Sequence, residues 1–404
     1  MKFSKNLNAI LSSLFIVMFL TMLNNAYLQL SAVNAVIYLL EIILIGYLAS
    51  NNIKSLMGII YFNPMVLFSI LILILNVAFS KYDSDPVRLL KFLGYILISI
   101  YGYKLGKQDS FAVNRTLVNL IVFIPLLLVG LFDHTPIKNM YFPNSNNFVF
   151  WGLVVSLLFY LSGYNKGSKN IFIKSLLVFL MYVLVGSSLG VIVAFLLGVF
   201  VINIRNTKLM AIALLSCVAF IPIILYSQIP VVVRLRNTFE VFTLVDWKSM
   251  SNIETFLDLN LYDLNSGIST VEGERNDNTS AIWRLQQWIN IIFSYFREWW
   301  YSIPFGLGDN YSTKVTGLPP HNDFLRILCE YGIFVFATMM SYVIKAMRVI
   351  RKEIIAYFLM AIFFYHLTEN LIDTFPTCCI YYLILSYSYS SIINHNPNAN
   401  PSSK

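Results

Sequence analysis

At 404 residues the chain is 58% hydrophobic and only 12% charged, with mean hydropathy +0.70. A water-soluble domain carries about 25% charged residues, so a solvated globular surface is excluded and a polytopic membrane protein is indicated. The net charge of +8 is therefore no argument for nucleic acid, because excess Lys and Arg in a membrane protein collects in cytoplasmic loops.

Met1-Lys2-Phe3-Ser4-Lys5 precedes an apolar run, as in a signal peptide. No small-x-small cleavage site follows, and many further apolar runs do, so an uncleaved first helix is expected. A spanning helix needs about 20 mostly apolar residues. Twelve segments qualify: 9–28, 31–49, 61–80, 89–106, 111–131, 147–163, 170–186, 188–204, 209–228, 323–344, 353–372 and 375–394. The expected fold is all-α, with nine spans in 1–227, a long outer segment at 228–322, and three spans and a tail in 323–404. Cys217, Cys329, Cys378 and Cys379 all fall in apolar runs without C-x-x-C spacing, which indicates neither a disulfide framework nor a zinc site.

Twelve spans place both termini on one side. If that side is cytoplasmic, sixteen of the 28 basic residues are cytoplasmic, against four (Lys81, Arg88, Lys91, Lys138) in the short outer loops. That asymmetry sets the orientation. The outer segment is the only long hydrophilic stretch and carries ten of the twenty acidic residues; long ordered loops of this kind are commonly functional. Within it, Thr279 to Trp300 has helical periodicity, with Ile282, Leu285, Ile289 and Phe296 offset from Arg284, Gln287 and Arg297. Its aromatics suit a bilayer interface.

Several residues here have chemical potential. Arg284 and Trp288 lie four apart, on one helix face. A guanidinium offers a planar fork suited to phosphate oxygens, and equally serves as an interfacial anchor. His321 follows Pro319-Pro320 and precedes an apolar helix. The positive end of the helix dipole disfavours imidazolium there, and a neutral imidazole is what a general base requires. A histidine in that place can also simply cap the helix. Gly306-x-Gly308 and Gly332 permit tight turns or close helix packing. Arg234 and Arg236, just past the ninth span, either face a polyanionic head group or anchor the helix end. Glu369 and Asp373, four apart, fall near the outer end of the eleventh span, and Glu41 falls near mid-span in the second, where a carboxylate is costly.

Read in order, Arg284-Leu-Gln-Gln-Trp288, Gly306-Leu-Gly308, His321-Asn322-Asp323-Phe324-Leu325 and Glu330-Tyr331-Gly332 resemble the signature of the bacterial O-antigen polymerase (Wzy-type) and O-antigen ligase superfamily. The histidine-plus-ten glycine spacing, the long outer loop and the number of spans match it as well. Pro143-Asn144 and Val185-Gly186-Ser187-Ser188-Leu189-Gly190 are similar to two further family segments. Many members carry arginine after the first serine of the latter, where this chain has Ser188, so Arg234 or Arg236 is the candidate substitute.

The resemblance implies a helical, C-type glycosyltransferase-like fold in the bacterial inner membrane and glycan transfer on the outer face without a metal or other cofactor. The donor would be an undecaprenyl-diphosphate-linked oligosaccharide, and a chain-length regulator protein is an implied partner. His321 would take the acceptor's proton. Arg284, with Arg234 or Arg236, would bind the diphosphate, and Trp288, Asn322, Gly308, Gly332 and Glu369 would support them. The acceptor separates a polymerase, which extends another lipid-linked unit, from a ligase, which uses the lipid A core. A flippase of lipid-linked glycans is the alternative of another class. It would show repeats, interrupted helices and deeper charges, whereas the polar residues here concentrate in one outer segment.

Overall fold

The structure, a computed structural model, describes residues 2–24, 28–62, 64–79, 86–109, 111–132, 145–164, 167–186, 188–204, 206, 280–297, 302–317 and 320–395, with a few positions between 233 and 243. Among these residues it is all-helical, without strands. In chain order the helices are α1 (Lys2–Leu23), α2 (Ser31–Phe62), α3 (Pro64–Phe79), α4 (Pro86–Lys107), α5 (Arg115–Phe132), α6 (Ser145–Tyr164), α7 (Ile171–Gly186), α8 (Leu189–Asn203), α9 (Ser280–Arg297), α10 (Ser302–Phe305), α11 (Tyr311–Thr316), α12 (Asp323–Ile350), α13 (Ile355–Tyr365) and α14 (Phe375–His395). Five of them, α1, α2, α4, α6 and α12, are long and apolar enough to cross a membrane, and five shorter apolar helices accompany them. The chain is thus a multi-pass membrane protein. The expected ninth span, 209–228, lies outside the described residues.

The centre of the bundle is α14, whose side chains from Phe375 to Ser390 are all buried. A helix enclosed by protein can be rich in tyrosine and serine, because it never meets lipid. Its closest partner is α4, where a Cβ on Gly102 or Gly106 would overlap the carbonyls of Leu383 and Tyr387. Such close approach is how membrane helices gain packing when water supplies no driving force. The outward faces are what lipid requires: Leu39, Ile43, Leu67, Leu127, Leu184 and Leu196 are all more than one-third exposed.

Three elements differ from the sequence expectation. First, α2 runs unbroken for 32 residues, about 48 Å, so it absorbs the start expected for the third span, which begins instead at Pro64. Second, α12 is not straight. Gly332, at φ 81° and ψ 176°, breaks it, and the Phe324 and Phe336 rings come within 6.5 Å of each other, where a straight helix would separate them by about 18 Å. Residues 323–331 therefore form a segment bent back on Ile333–Ile350.

Third, α13 stops at Tyr365, and 366–374 is a turn rather than the last part of a span. The cause is Asp323. One of its carboxylate oxygens accepts the backbone N–H groups of Leu371 (2.8 Å) and Ile372 (3.0 Å) and lies 2.6 Å from His366 Nδ1, while its own N–H donates to the His366 carbonyl. The turn is tied to the start of α12 through these bonds. Glu369 and Asp373 therefore sit on a loop, not on one face of a helix.

Candidate active site

The loop 366–374, the start of α12 and helix α9 converge on His321. The α9 helix forms over Ser280–Arg297, but its buried face differs from the expected stripe. Ile282, Gln286, Ile291 and Tyr295 are buried, whereas Leu285 and Phe296 are exposed. Ile291 and Tyr295 pack with Leu307, Tyr311 and Cys329 in a small core that fixes α9 against α11 and α12. This orientation turns Arg284 and Trp288 inward. Trp288 Nε1 donates to the Pro320 carbonyl at 2.6 Å, which holds the residue preceding His321, and the Trp283 ring meets the His321 ring edge-on at 5.4 Å.

His321 does not cap α12. That role belongs to Asn322, whose Oδ1 accepts the Leu325 N–H. His321 lies one residue outside in the left-handed region, φ 47°, an uncommon conformation for a residue with a Cβ and one that a fixed surrounding must maintain. Its Nδ1 is 3.1 Å from Glu369 Oε2, and Glu369 Oε1 is 2.8 Å from an Arg284 terminal nitrogen. The other terminal nitrogen of Arg284 donates to the Thr368 carbonyl at 3.0 Å. Glu369 is buried, at 1% exposure, with a Cβ at Gly190 falling 3.6 Å from Oε1, so the start of α8 closes that side. Nearby, Ser188 bonds Asn146 and Tyr365, which gives that position a scaffold part instead of an arginine's.

The chain Arg284–Glu369–His321 has defined chemistry. A carboxylate only accepts hydrogen bonds, so a neutral His321 beside ionised Glu369 carries its proton on Nδ1 and leaves the Nε2 lone pair free. Any imidazolium formed by proton uptake at Nε2 is stabilised by Glu369, and Arg284 neutralises that buried carboxylate. This is the orienting logic of a base held by a third group. Arg284 uses two of its five N–H donors on Glu369 and Thr368. Its Nε–H is buried without a partner among the described residues.

Behind this site lies a second charged cluster that sequence inspection did not find. Arg88 of α4 bonds Asp309, Glu330 (3.2 Å) and Asp373 (3.3 Å), and Arg326 bonds Glu330 (3.3 Å) and Asp373 (2.7 Å). Ser312 donates to Glu330 at 2.6 Å and the Tyr331 hydroxyl to Asp309 at 2.9 Å. Two guanidiniums face three carboxylates, and Lys91 Nζ lies 3.2 Å from the Asp373 carbonyl. The cluster joins α4, the 302–317 segment, α12 and the 366–374 loop. The Asp373 side chain is part-exposed, and the charges of Arg326 and then Arg88 hold its carboxyl below the usual range.

Gly306, Gly308 and Gly332 belong to this clasp, not to the surroundings of His321. The break at Gly332 frees carbonyls of the turn before it, and the Leu307 and Gly308 N–H groups bond the Cys329 and Glu330 carbonyls at 2.9 and 3.0 Å. A Cβ on Gly306 would overlap the Glu330 carbonyl, and one on Gly332 the Pro304 carbonyl. Of the remaining expected residues, Arg236 is helical and half-buried, and Arg234 lies outside the described residues. Cys329, Cys378 and Cys379 are buried free thiols. Of the residues that these two networks add, Asp323 and Glu330 fall inside the quoted motif segments, whereas His366, Arg326 and Arg88 were not singled out as site candidates by the sequence. Arg326 and Glu330 lie at i and i+4, a spacing at which opposite charges on a helix meet.

Neither a protein-family model nor a curated protein matches this chain.

Proposed function

We propose that the protein is a metal-independent membrane glycosyltransferase that polymerises undecaprenyl-diphosphate-linked oligosaccharide repeat units on the outer face of the bacterial inner membrane. The observation that supports this reading is the Arg284–Glu369–His321 chain. Each member lies in, or is held by, a segment resembling the polymerase and ligase signature. In this reading twelve spans cross the membrane, both termini are cytoplasmic and 228–322 is outside.

His321 Nε2 removes the proton from the acceptor sugar hydroxyl as that oxygen attacks the anomeric carbon of the donor. The bond from that carbon to the diphosphate breaks, and the diphosphate leaves with the electron pair. Arg284, with Arg234 or Arg236, stabilises the charge growing on it, which counts for most where water is scarce. Ligation to lipid A core stays the second reading within the same chemistry. The lean to the polymerase rests on the degenerate motifs and on Ser188 in place of the arginine.

Reconstitution of the purified protein in liposomes with lipid-linked repeat units separates the readings. A ladder of lengthened glycan without other protein supports the polymerase. Transfer only when lipid A core is added makes the protein a ligase, and movement of the donor across the bilayer without new glycosidic bonds makes it a flippase.

A further inference from the structure

A groove of about 440 Å³ opens between α8, α12 and α13. The walls are apolar, formed by Val201, Ile344, Met347, Met360 and Phe363. Val201, Ile204 and Ile344 are 39%, 57% and 39% exposed, so the groove is open on its lipid-facing side. Arg348, Arg351 and Lys352 stand at one end. Arg348 lies in the last turn of α12, Arg351 is its C-cap and Lys352 follows in the turn; all three are exposed, and none is paired with a carboxylate among the described residues. From that end α13 runs eleven residues, about 16 Å, back toward the His321 loop, so the cations lie at the opposite end of the bundle from the candidate active site.

We propose that this groove is a binding site for an anionic phospholipid. One acyl chain lies along Val201, Met347, Met360 and Phe363, and the phosphate is held by Arg348, Arg351 and Lys352. Charge complementarity fixes the occupant. Two guanidinium forks match phosphate oxygens, and an uncharged alkyl partner would leave all three cations unused. Basic residues at a membrane surface attract the anionic lipids of the cytoplasmic leaflet, the side on which the proposed topology places this end. The larger cavity, about 690 Å³ between α2, α3, α4, α12 and α14, lacks this feature. Its Lys104 is already bonded to the Asn51 carbonyl and Asn52 Oδ1, and its Lys107 lies against the Tyr103 ring.

The test is the melting temperature of the full chain in a neutral detergent, titrated with phosphatidylglycerol, phosphatidylcholine or inorganic phosphate. Phosphatidylglycerol alone should raise it. Each of Arg348→Gln, Arg351→Gln and Lys352→Gln should weaken the apparent affinity about fivefold, the equivalent of ~1 kcal/mol per basic residue near the surface. Val201→Trp fills the groove but keeps every cation, and it should abolish the effect. An equal rise with phosphatidylcholine, a rise with inorganic phosphate alone, or a full effect in Val201→Trp would each overturn the proposal. The lipid comparison on the unmodified chain decides even where a variant does not fold.

Discussion

At the scale of single residues, the account depends on how Glu369 is held. Its carboxylate orients His321 on one side and meets Arg284 on the other. Glu369→Gln offers an amide where the imidazole needs an acceptor and a negative charge. Polymer synthesis should fall by about 10²-fold or more, within the range of a lost general-base contribution, while the protein accumulates normally. Arg284→Lys should also stay defective, because an ammonium cannot reach Glu369 and the Thr368 carbonyl with the same planar fork. Polymer length close to wild type in either variant, at matched protein level, would remove that residue from the mechanism. The Asp373 carboxyl, held low by Arg326 and Arg88, makes a pH statement. A depressed folded pKa contributes stability that is present above the unfolded value and lost as pH falls toward the folded one. Arg326→Met should therefore flatten the acid limb of the stability curve. At neutral pH it should cost about 3–5 kcal/mol, because Glu330 loses a buried partner; an unchanged melting temperature across pH 3–7 would contradict the cluster.

At the scale of elements, α12 is the decisive piece, and it shows where sequence inspection stops. The apolar pattern places its start and its approximate end, and the His321 to Gly332 spacing is visible in the chain. The bend is not, because a glycine in an apolar helix is equally a packing contact. What makes Gly332 a break is the 304–308 backbone pressed against it, a contact between segments more than twenty residues apart. The same reason hid the 366–374 turn. His366, Glu369, Asn370 and Asp373 interrupt the apolar run there, but the capture of the Leu371 and Ile372 N–H groups by the buried Asp323 carboxylate depends on a contact across more than forty residues. Arg284, His321 and Glu369 were each legible, but their convergence was not, since it depends on α9 lying over both. Gly332→Ala should destabilise the protein by more than the ~1–3 kcal/mol of a side chain forced into this essentially glycine-only region, because its methyl also meets the Pro304 carbonyl. A Tm within a degree of wild type would show that the bend is dispensable.

At the scale of the whole molecule, the apolar outward surface and the buried tyrosine-rich α14 describe a protein whose solvent is lipid. The topology proposed from sixteen cytoplasmic against four outer basic residues makes a labelling prediction. In intact cells an impermeant thiol reagent should modify a cysteine at Thr270 and spare one at Lys352, which is exposed in the structure. The reverse pattern would turn the molecule over and place the His321 site in the cytoplasm, away from any outer-face substrate. The central claim, that His321 is the general base, is tested most directly by reconstituting wild type and His321→Gln with purified lipid-linked repeat units and measuring polymer length. Glutamine can still hydrogen-bond Glu369 but cannot take up the proton, so the account predicts full-length ladders from wild type and unpolymerised starting material from a folded His321→Gln. Ladders of normal length from His321→Gln would contradict it.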